Sequence, residues 1–547
     1  MSLQGPRGIG WILCLALLQP GCGRSAGQDS PEAASCMYNG VDTCQGNATR
    51  LTLTVKPGEV HQTIHSFGAS DAWTTKFIGK WASTEKKNRI ADLLFSMDTL
   101  DDGSPKGIGL SLWRFNIGAG SFAQGEASGI ATDWRREECF LNADGTYDWS
   151  REAGQQWFLD AARLRGVAYT VGFANSPPVF MTRNGKAFSP GGNSLNIAAG
   201  RAGDYADFLV KVADHFHFDY ISPVNEPQWD WKAGDDGKAS QEGSPATDSD
   251  IASLTRLLSK RLVSAGSKAR VTVAEAGQWD FLYGRNTDGR GDQIASFFDA
   301  SSPDYIGALP GVSHVLSAHS YFTTCPSDAL MNTRQAVADE RSRVDPSLET
   351  WMTEFGVLGD ICGQLNGYPR HTGIAYGLYV ARVMFADLTV AGVSSWQWWL
   401  AVNPYDYSDG LVYIDDPSGG IAEDKTKTDG IVVSSKQLWA MGNYSRFVRP
   451  GMERIEAYVE SSGSVPADLL VSAYRDAATR TLVVVAVNEG AGARVLSLDQ
   501  GGGVRVKGGE WNTYSTTADE NLKRGYASVG ACPVPAQSVV TLTGTYE

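Results

Sequence analysis

Histidine is scarce in this chain, with 7 among 547 residues, and the only His-x-His is His215-Phe216-His217. A metal-dependent enzyme gathers His and acidic ligands at one place. This pair precedes a strand instead of closing one, so a helix end is its expected place and no metal is expected. Basic residues are also in the minority, with Lys+Arg 47 against Asp+Glu 61 and a formal net charge of −14. Such a balance gives no footprint for nucleic acid or anionic lipid. The 8 cysteines contain no Cys-x-x-Cys pair, which excludes the usual zinc spacings. No repeat with a period of 20 to 50 residues is visible, which excludes a solenoid. The apolar run Ile9 to Leu18 falls short of the ~20 residues of a membrane span.

That run follows Arg7 and reads as an export leader over residues 1–26. Cys22, after Gln19-Pro20-Gly21, is either a lipid-attachment cysteine or part of a cleaved soluble signal. The chain is therefore expected to be secreted, periplasmic or lipid-anchored at the cell surface, and monomeric. Residues 27–50 are polar, without periodicity, and read as a linker. In an exported protein the remaining cysteines permit disulfides. Cys36 with Cys44, around an Asn39-Gly40 turn, is the first candidate pair, and Cys325 with Cys362 the second.

What is present in quantity is apolar and aromatic: 42% hydrophobic positions, with 16 Trp, 20 Tyr and 20 Phe. Short apolar runs alternate with amphipathic stretches, the order of βα units and a parallel sheet. Strands are predicted at Ile64–Ala69, Leu110–Asn116, Ala168–Phe173, Tyr220–Val224, Val271–Ala274, Val315–Ser320, Thr350–Glu354 and Val393–Trp398. Helices are predicted at Gly154–Arg165, Ala202–Phe216, Asp248–Val263, Asp328–Val344 and Thr372–Leu388, where apolar residues recur at three and four positions. This describes an α/β protein, a (β/α)₈ barrel over residues 63–440. After residue 441 the pattern becomes all-β, and Leu51 to His61 shares that character. Residues 51–62 are therefore expected to supply a strand to a β-sandwich formed by 441–547.

In such a barrel, chemistry belongs at the C-terminal ends of the strands. The fourth ends in Asn225-Glu226-Pro227 and the seventh in Glu354. Two carboxylic acids at opposite strand ends meet the requirement of glycoside hydrolysis, in which one protonates the leaving oxygen and the other attacks or activates water. Either Glu alone is more simply a solvated loop or capping residue, and Glu349 competes with Glu354; their joint placement carries the reading. Pro227 biases Glu226 away from helical geometry and toward an extension of the strand. Other polar or aromatic strand-end residues form the candidate substrate site: Asp71, Trp73, Arg114, Asn116, Asn175, Asn225, His319, Tyr321 and Trp396, with Glu275 beside them. Taken individually, Trp113, Trp396 and Trp399 are expected in the core rather than as sugar platforms. Trp229, Trp231 and Trp279 lie in loops and are the better stacking candidates, with Asp71 and Asn116 expected to fix hydroxyls next to Glu354. Arg114 is expected to hold Glu354 ionised, and no cofactor is required. A glycan-binding protein without activity is the rival reading, but it has no need for both glutamates.

The runs Phe67-Gly68-Ala69-Ser70-Asp71-Ala72-Trp73, Ser111-Leu112-Trp113-Arg114-Phe115-Asn116, Asn225-Glu226-Pro227, Trp351-Met352-Thr353-Glu354 and Arg446-Phe447-Val448-Arg449-Pro450-Gly451 resemble glycoside hydrolase family 30. The resemblance covers nearly all of the chain after residue 50 and is nearest to bacterial proteins described as endo-β-1,6-galactanases. It implies a barrel with a side sandwich built from both chain ends. It also implies retention of anomeric configuration, with Glu226 as acid/base, Glu354 as nucleophile, and Arg114, Asn225 and Tyr321 orienting them. Activities differ within the family, so β-1,6-glucan, glucosylceramide, xylan and β-fucosides stay open beside β-1,6-galactan.

Overall fold

The computed structural model describes residues 37–38, 41–42, 48–284, 286, 288–359, 362–363, 365–461, 466–501 and 504–547. The leader, Cys22 and the Cys36–Cys44 pairing lie outside the described residues.

Strand β1 (Thr49–Thr63) leads directly into β2 (Ser66–Ser70), the first strand of a closed parallel barrel. The other barrel strands are β3 (Leu112–Ile117), β4 (Tyr169–Ala174), β5 (Tyr220–Ser222), β6 (Arg270–Ala276), β7 (Val312–His319), β8 (Glu349–Glu354) and β9 (Ser395–Asn403). Neighbours pair in sequence order, and β9 closes the ring by pairing with both β8 and β2. These strands read as nearly continuous apolar runs because the barrel interior and the helix layer bury both faces. The helices are α1 (Thr84–Phe95), α2 (Ala153–Leu164), α3 (Ala202–Phe216), α4 (Asp248–Ala265), α5 (Gln293–Phe298), α6 (Ser327–Val344), α7 (Ile374–Ala386) and α8 (Lys436–Ser445). Thr247 and Asp250 form a capping box that starts α4, and Gly266 ends it in the left-handed conformation.

Within the barrel region two short strands escaped the sequence reading. β10 (Gly410–Asp415) pairs with the far end of β9, and β11 (Ile431–Ser434) pairs with β10. They extend β9 past the barrel rim and carry the long segment between β9 and α8.

The second unit is a nine-stranded, mostly antiparallel sheet. Beyond β1 it contains β12 (Glu453–Glu460), β13 (Leu469–Asp476), β14 (Thr481–Asn488), β15 (Arg494–Leu498), β16 (Glu510–Thr516), β17 (Lys523–Ser528), β18 (Cys532–Val534) and β19 (Ser538–Thr545). Its order is β17-β16-β19-β14-β13-β12-β1-β15-β18, so the N-terminal strand sits between β12 and β15, well inside the sheet. Period-two alternation divides β14 cleanly. Leu482, Val484 and Ala486 face the sheet's own core, while Val483, Val485 and Val487 join the core shared with the barrel helices. Asn443 of α8 fastens the seam through Nδ2 to the Tyr514 carbonyl at 2.9 Å and to Thr541 Oγ1 at 2.9 Å.

Cys325 and Cys362 form a disulfide joining the loops after β7 and β8, and Cys139 and Cys532 are buried free thiols. His215 ends α3 stacked on Trp149, with ring centres 3.7 Å apart. It is therefore the helix-end residue expected.

Candidate active site

Arg114, Glu275, His319 and Glu354 converge at the C-terminal end of the barrel, each less than 5% exposed. Arg114 projects inward from β3 with its guanidinium 3.6 Å over the Phe173 ring. It donates through Nη1 to Glu354 Oε2 at 2.7 Å, and through Nη2 to Asn225 Oδ1 at 2.9 Å and Glu275 Oε2 at 3.2 Å. His319 bridges two glutamates, with Nδ1 3.0 Å from Glu226 Oε1 and Nε2 3.2 Å from Glu275 Oε2. Tyr321 donates its hydroxyl to Glu354 Oε1 at 3.1 Å.

Local backbone irregularity aims these groups. Thr353 and Glu354 are adjacent and should face opposite sides of β8, yet Thr353 Oγ1 reaches Glu275 at 2.6 Å while Glu354 meets Arg114. The register between β8 and β7 shifts between Met352 and Glu354, which turns both toward the interior. Glu226 does not extend its strand as Pro227 suggested. Its φ is +45°, left-handed, with its N–H donating to the Glu275 carbonyl at 2.9 Å. Trp231 Nε1 donates to the Glu226 carbonyl at 2.9 Å and helps hold this strained turn.

The charges balance through these contacts. Burial works against an ionised Glu275, but Arg114 and His319 outweigh it and hold that carboxyl at about 2. Burial likewise works against an imidazolium at His319, yet Glu354, Glu226 and Glu275 raise it to about 9. Arg114 does pull Glu354 toward the ionised form as expected, together with His319. Burial, with Glu226 beside it, exceeds that pull, so the Glu354 carboxyl is raised.

Above this cluster opens a cavity of about 760 Å³ whose floor carries Glu226, Tyr321 and Glu354. A carboxylate oxygen of Glu226 and one of Glu354 lie within 4.8 Å of each other. Glu349, the competing acid, begins β8 at the opposite end and binds Ser394 Oγ at 2.7 Å. Of the predicted aromatic residues, Trp73, Trp229 and Trp231 line the cavity, and Trp399, expected in the core, lines it instead. Trp279 and Trp396 do not. Both are fully buried in a polar network behind the site, with Trp279 Nε1 on Ser320 Oγ at 2.7 Å and Trp396 Nε1 on Asp387 Oδ2 at 2.9 Å.

Asp71 and Asn116 are a further correction, because neither lines the cavity. Asp71 is fully buried and accepts the Asn116 backbone N–H at 2.8 Å, and Asn175 Nδ2 lies 3.4 Å from Asn116 Oδ1. Asn225, Arg114 and His319 also stand behind the floor, Arg114 and His319 in direct contact with its glutamates and Asn225 in contact with Arg114. Asn225 Oδ1 is occupied by Arg114, while its Nδ2 makes no hydrogen bond among the described residues. Sequence reasoning missed Arg135, Gln241, Phe322, Tyr405, Asp409 and Glu423, which all line the cavity. They sit in long connections, where no periodicity marks which side chain turns inward.

A model of O-glycosyl hydrolase family 30 matches residues 50–413. A conserved exported protein from Bacteroides fragilis is similar in structure, with 33% identity, a TM-score of 0.82, and coverage of 90% of this chain and 100% of that one. The catalytic domain of a family 30 xylanase C from Talaromyces cellulolyticus shares 24% identity at a TM-score of 0.64, covering 90% and 100%. An endo-β-1,6-glucanase shares 15% at a TM-score of 0.61, covering 90% and 93%. With a barrel, a side sheet and two glutamates on one cavity floor, the chain belongs to glycosyl hydrolase family 30.

Proposed function

We propose that the protein hydrolyses a β-linked glycan with retention of configuration, using Glu354 as nucleophile and Glu226 as acid/base. The observation that carries this reading is the spacing of the pair, with carboxylate oxygens within 4.8 Å on one cavity floor. Retaining pairs stand ~5–5.5 Å apart and inverting pairs ~6.5–9.5 Å, because the latter leave room for a water. The division of roles follows from the partners. Glu354 accepts from Arg114 and Tyr321, donors that favour a carboxylate ready to attack the anomeric carbon. Glu226 faces the imidazolium of His319, which occupies Oε1 and leaves the other oxygen to deliver a proton to the leaving group. After the glycosyl-enzyme forms, Glu226 removes a proton from water, which attacks the same carbon and frees Glu354.

For the substrate, the best reading is endo action on β-1,6-galactan. It is supported by the sequence resemblance and by the structural likeness to an endo-β-1,6-glucanase. The walls hold Trp73, Trp229, Trp231 and Trp399, flat faces able to hold a flexible β-1,6 chain. Export is supported by the leader-like start, by a disulfide that suits an oxidising compartment, and by the likeness to an exported protein. A panel of β-1,6-galactan, β-1,6-glucan, xylan and aryl β-fucoside, followed by NMR of the first-formed anomer, tests the proposal. The expected result is β-configured galacto-oligosaccharides. Turnover of glucan or xylan alone overturns the substrate, and an α-configured first product overturns the mechanism.

A further inference from the structure

The turn from Asp133 to Glu137, in the connection after β3, is held side chain by side chain. Lys427 Nζ binds both Asp133 carboxylate oxygens at 2.9 Å, and Trp134 Nε1 donates to Asp424 Oδ1 at 3.3 Å. Arg136 pairs with Glu126 at 2.7 Å. The fully buried Lys76 ammonium donates to the carbonyls of Asp133 at 3.1 Å, Trp134 at 3.2 Å and Arg136, and lies 3.4 Å from Glu137 Oε1. Arg135 is the exception. Among the described residues no carboxylate pairs with it, and its guanidinium carbon lies 3.8 Å from the centre of the Trp73 ring and 5.6 Å from that of Tyr405, on the cavity wall. Four neighbours are committed to holding the turn, and the one cationic side chain on the cavity lining stands beside Trp73, Tyr405 and Asp409 instead.

The direction of the substrate follows from the chemistry. Glu226 protonates the leaving oxygen, so the leaving part lies on its side, toward Trp229 and Trp231 in the connection after β5. The opposite side of the ring, formed by the connections after β2, β3 and β9, therefore holds the glycone. It carries Trp73, Arg135, Tyr405 and Asp409. Asp406, Asp409 and Glu423 also line the cavity, so its charge is negative overall despite Arg135. A uronate or sulfate would meet more repulsion than attraction there. A neutral sugar instead finds a donor fork and carboxylate acceptors side by side, as adjacent hydroxyls require.

We propose that Arg135, held in place by Lys76, is a specificity-determining residue that donates hydrogen bonds to hydroxyls of a neutral glycone, with Asp409 as the facing acceptor. This rests on the glycosidase reading above. The test compares wild type, Arg135→Gln and Arg135→Lys on β-1,6-galacto- and β-1,6-gluco-oligosaccharides, with and without a terminal glucuronate, and on aryl β-glycosides of galactose, glucose, xylose and fucose. On neutral substrates Arg135→Gln should lower kcat/KM by about 10- to 100-fold, the worth of hydrogen bonds from a charged donor, chiefly through KM. Arg135→Lys should restore only part, because an ammonium lacks the planar fork. Tm should fall only slightly, by the cation–π contact with Trp73 that Arg135→Gln loses. Lys76→Met should reproduce the KM effect with kcat little changed. Unchanged kinetics of Arg135→Gln on neutral substrates, or a loss confined to glucuronate-bearing ones, overturns the inference while leaving the hydrolase reading intact. A wild-type enzyme inert on every substrate overturns the hydrolase reading itself, and this inference with it.

Discussion

Two groups of buried acids lie side by side in this barrel, and one member of each, Glu275 and Glu137, is shifted in the opposite direction to the other. Beneath the cavity floor, Glu275 shares Arg114 and His319 with Glu354; Glu275 is held at about 2, while burial keeps Glu354 raised. Behind the first two strands, Asp71, Glu137, Glu152 and Glu242 are equally buried with one cation, Lys76, among them. Lys76 divides itself among three carbonyls, so burial outweighs its pull and Glu137 rises to about 8. Asp71, Glu152 and Glu242 are raised as well, all mainly by burial. The second group serves as loop pins: Glu242 accepts from the Ala119 N–H at 2.9 Å and Glu152 from the Gly118 N–H at 2.9 Å. Among equally buried acids, the number of cations in contact decides which carboxyl is held ionised, and Glu275, between Arg114 and His319, has two.

The largest effect that could break this comparison is on turnover. Glu354→Gln should lower kcat at least about a thousandfold on every substrate, while Glu226→Gln should lose most on substrates with poor leaving groups. Equal residual activity in both, measured with aryl glycosides of graded leaving-group pKa, would contradict the assigned roles. Next in size is Glu275→Gln, which removes a carboxylate from between two buried cations. It should lower unfolding free energy by about 3–5 kcal/mol, as breaking a buried pair does. In wild type, Glu275 is depressed from 4.5 to about 2, so its contribution is present above pH 4.5 and lost as pH falls toward 2. Melts across that range should show the loss in wild type and its absence in the variant.

Glu137→Gln should do little below pH 4.5. Its carboxyl is raised from 4.5 to about 8, so wild-type stability falls as pH rises across that window, where the unfolded chain releases the proton first. The variant should flatten that fall, a change of roughly a few degrees in Tm. If wild-type melts instead rise through pH 4.5 to 8 because of Glu137, Glu275 and Glu137 are not opposites. The smallest effect concerns the platforms: Trp229→Ala should raise KM about threefold to tenfold with Tm nearly constant, the scale of one aromatic contact.

Legibility followed geometry. Barrel strands are buried on both faces and end abruptly in polar residues, so Glu226, Glu354, Arg114 and Tyr321 could be picked out from their places on the strands. Asp71 and Asn116 also close strands, but a strand end does not say whether a polar side chain faces the opening or a neighbouring connection, and theirs face inward packing. Trp279 sits in a connection, which suggested exposure, yet Ser320 and Asp387 draw it into the wall. Arg135 and Asp409 were invisible for a different reason. Which residue of a long connection turns inward is decided by contacts with Lys76, Lys427 and Asn403, residues remote or aperiodic in sequence.

The placing of β1 between β12 and β15 also sets the order in which the molecule can be completed. Synthesis delivers Thr49–Thr63 first and its partners only after residue 453, so a 15-residue strand waits with both edges open until nearly the whole chain exists. Such a strand is a template for pairing with the wrong chain. Because β1 runs straight into the first barrel strand, closure of the side sheet and anchoring of the barrel become one late event, favouring a chain that finishes folding only after release.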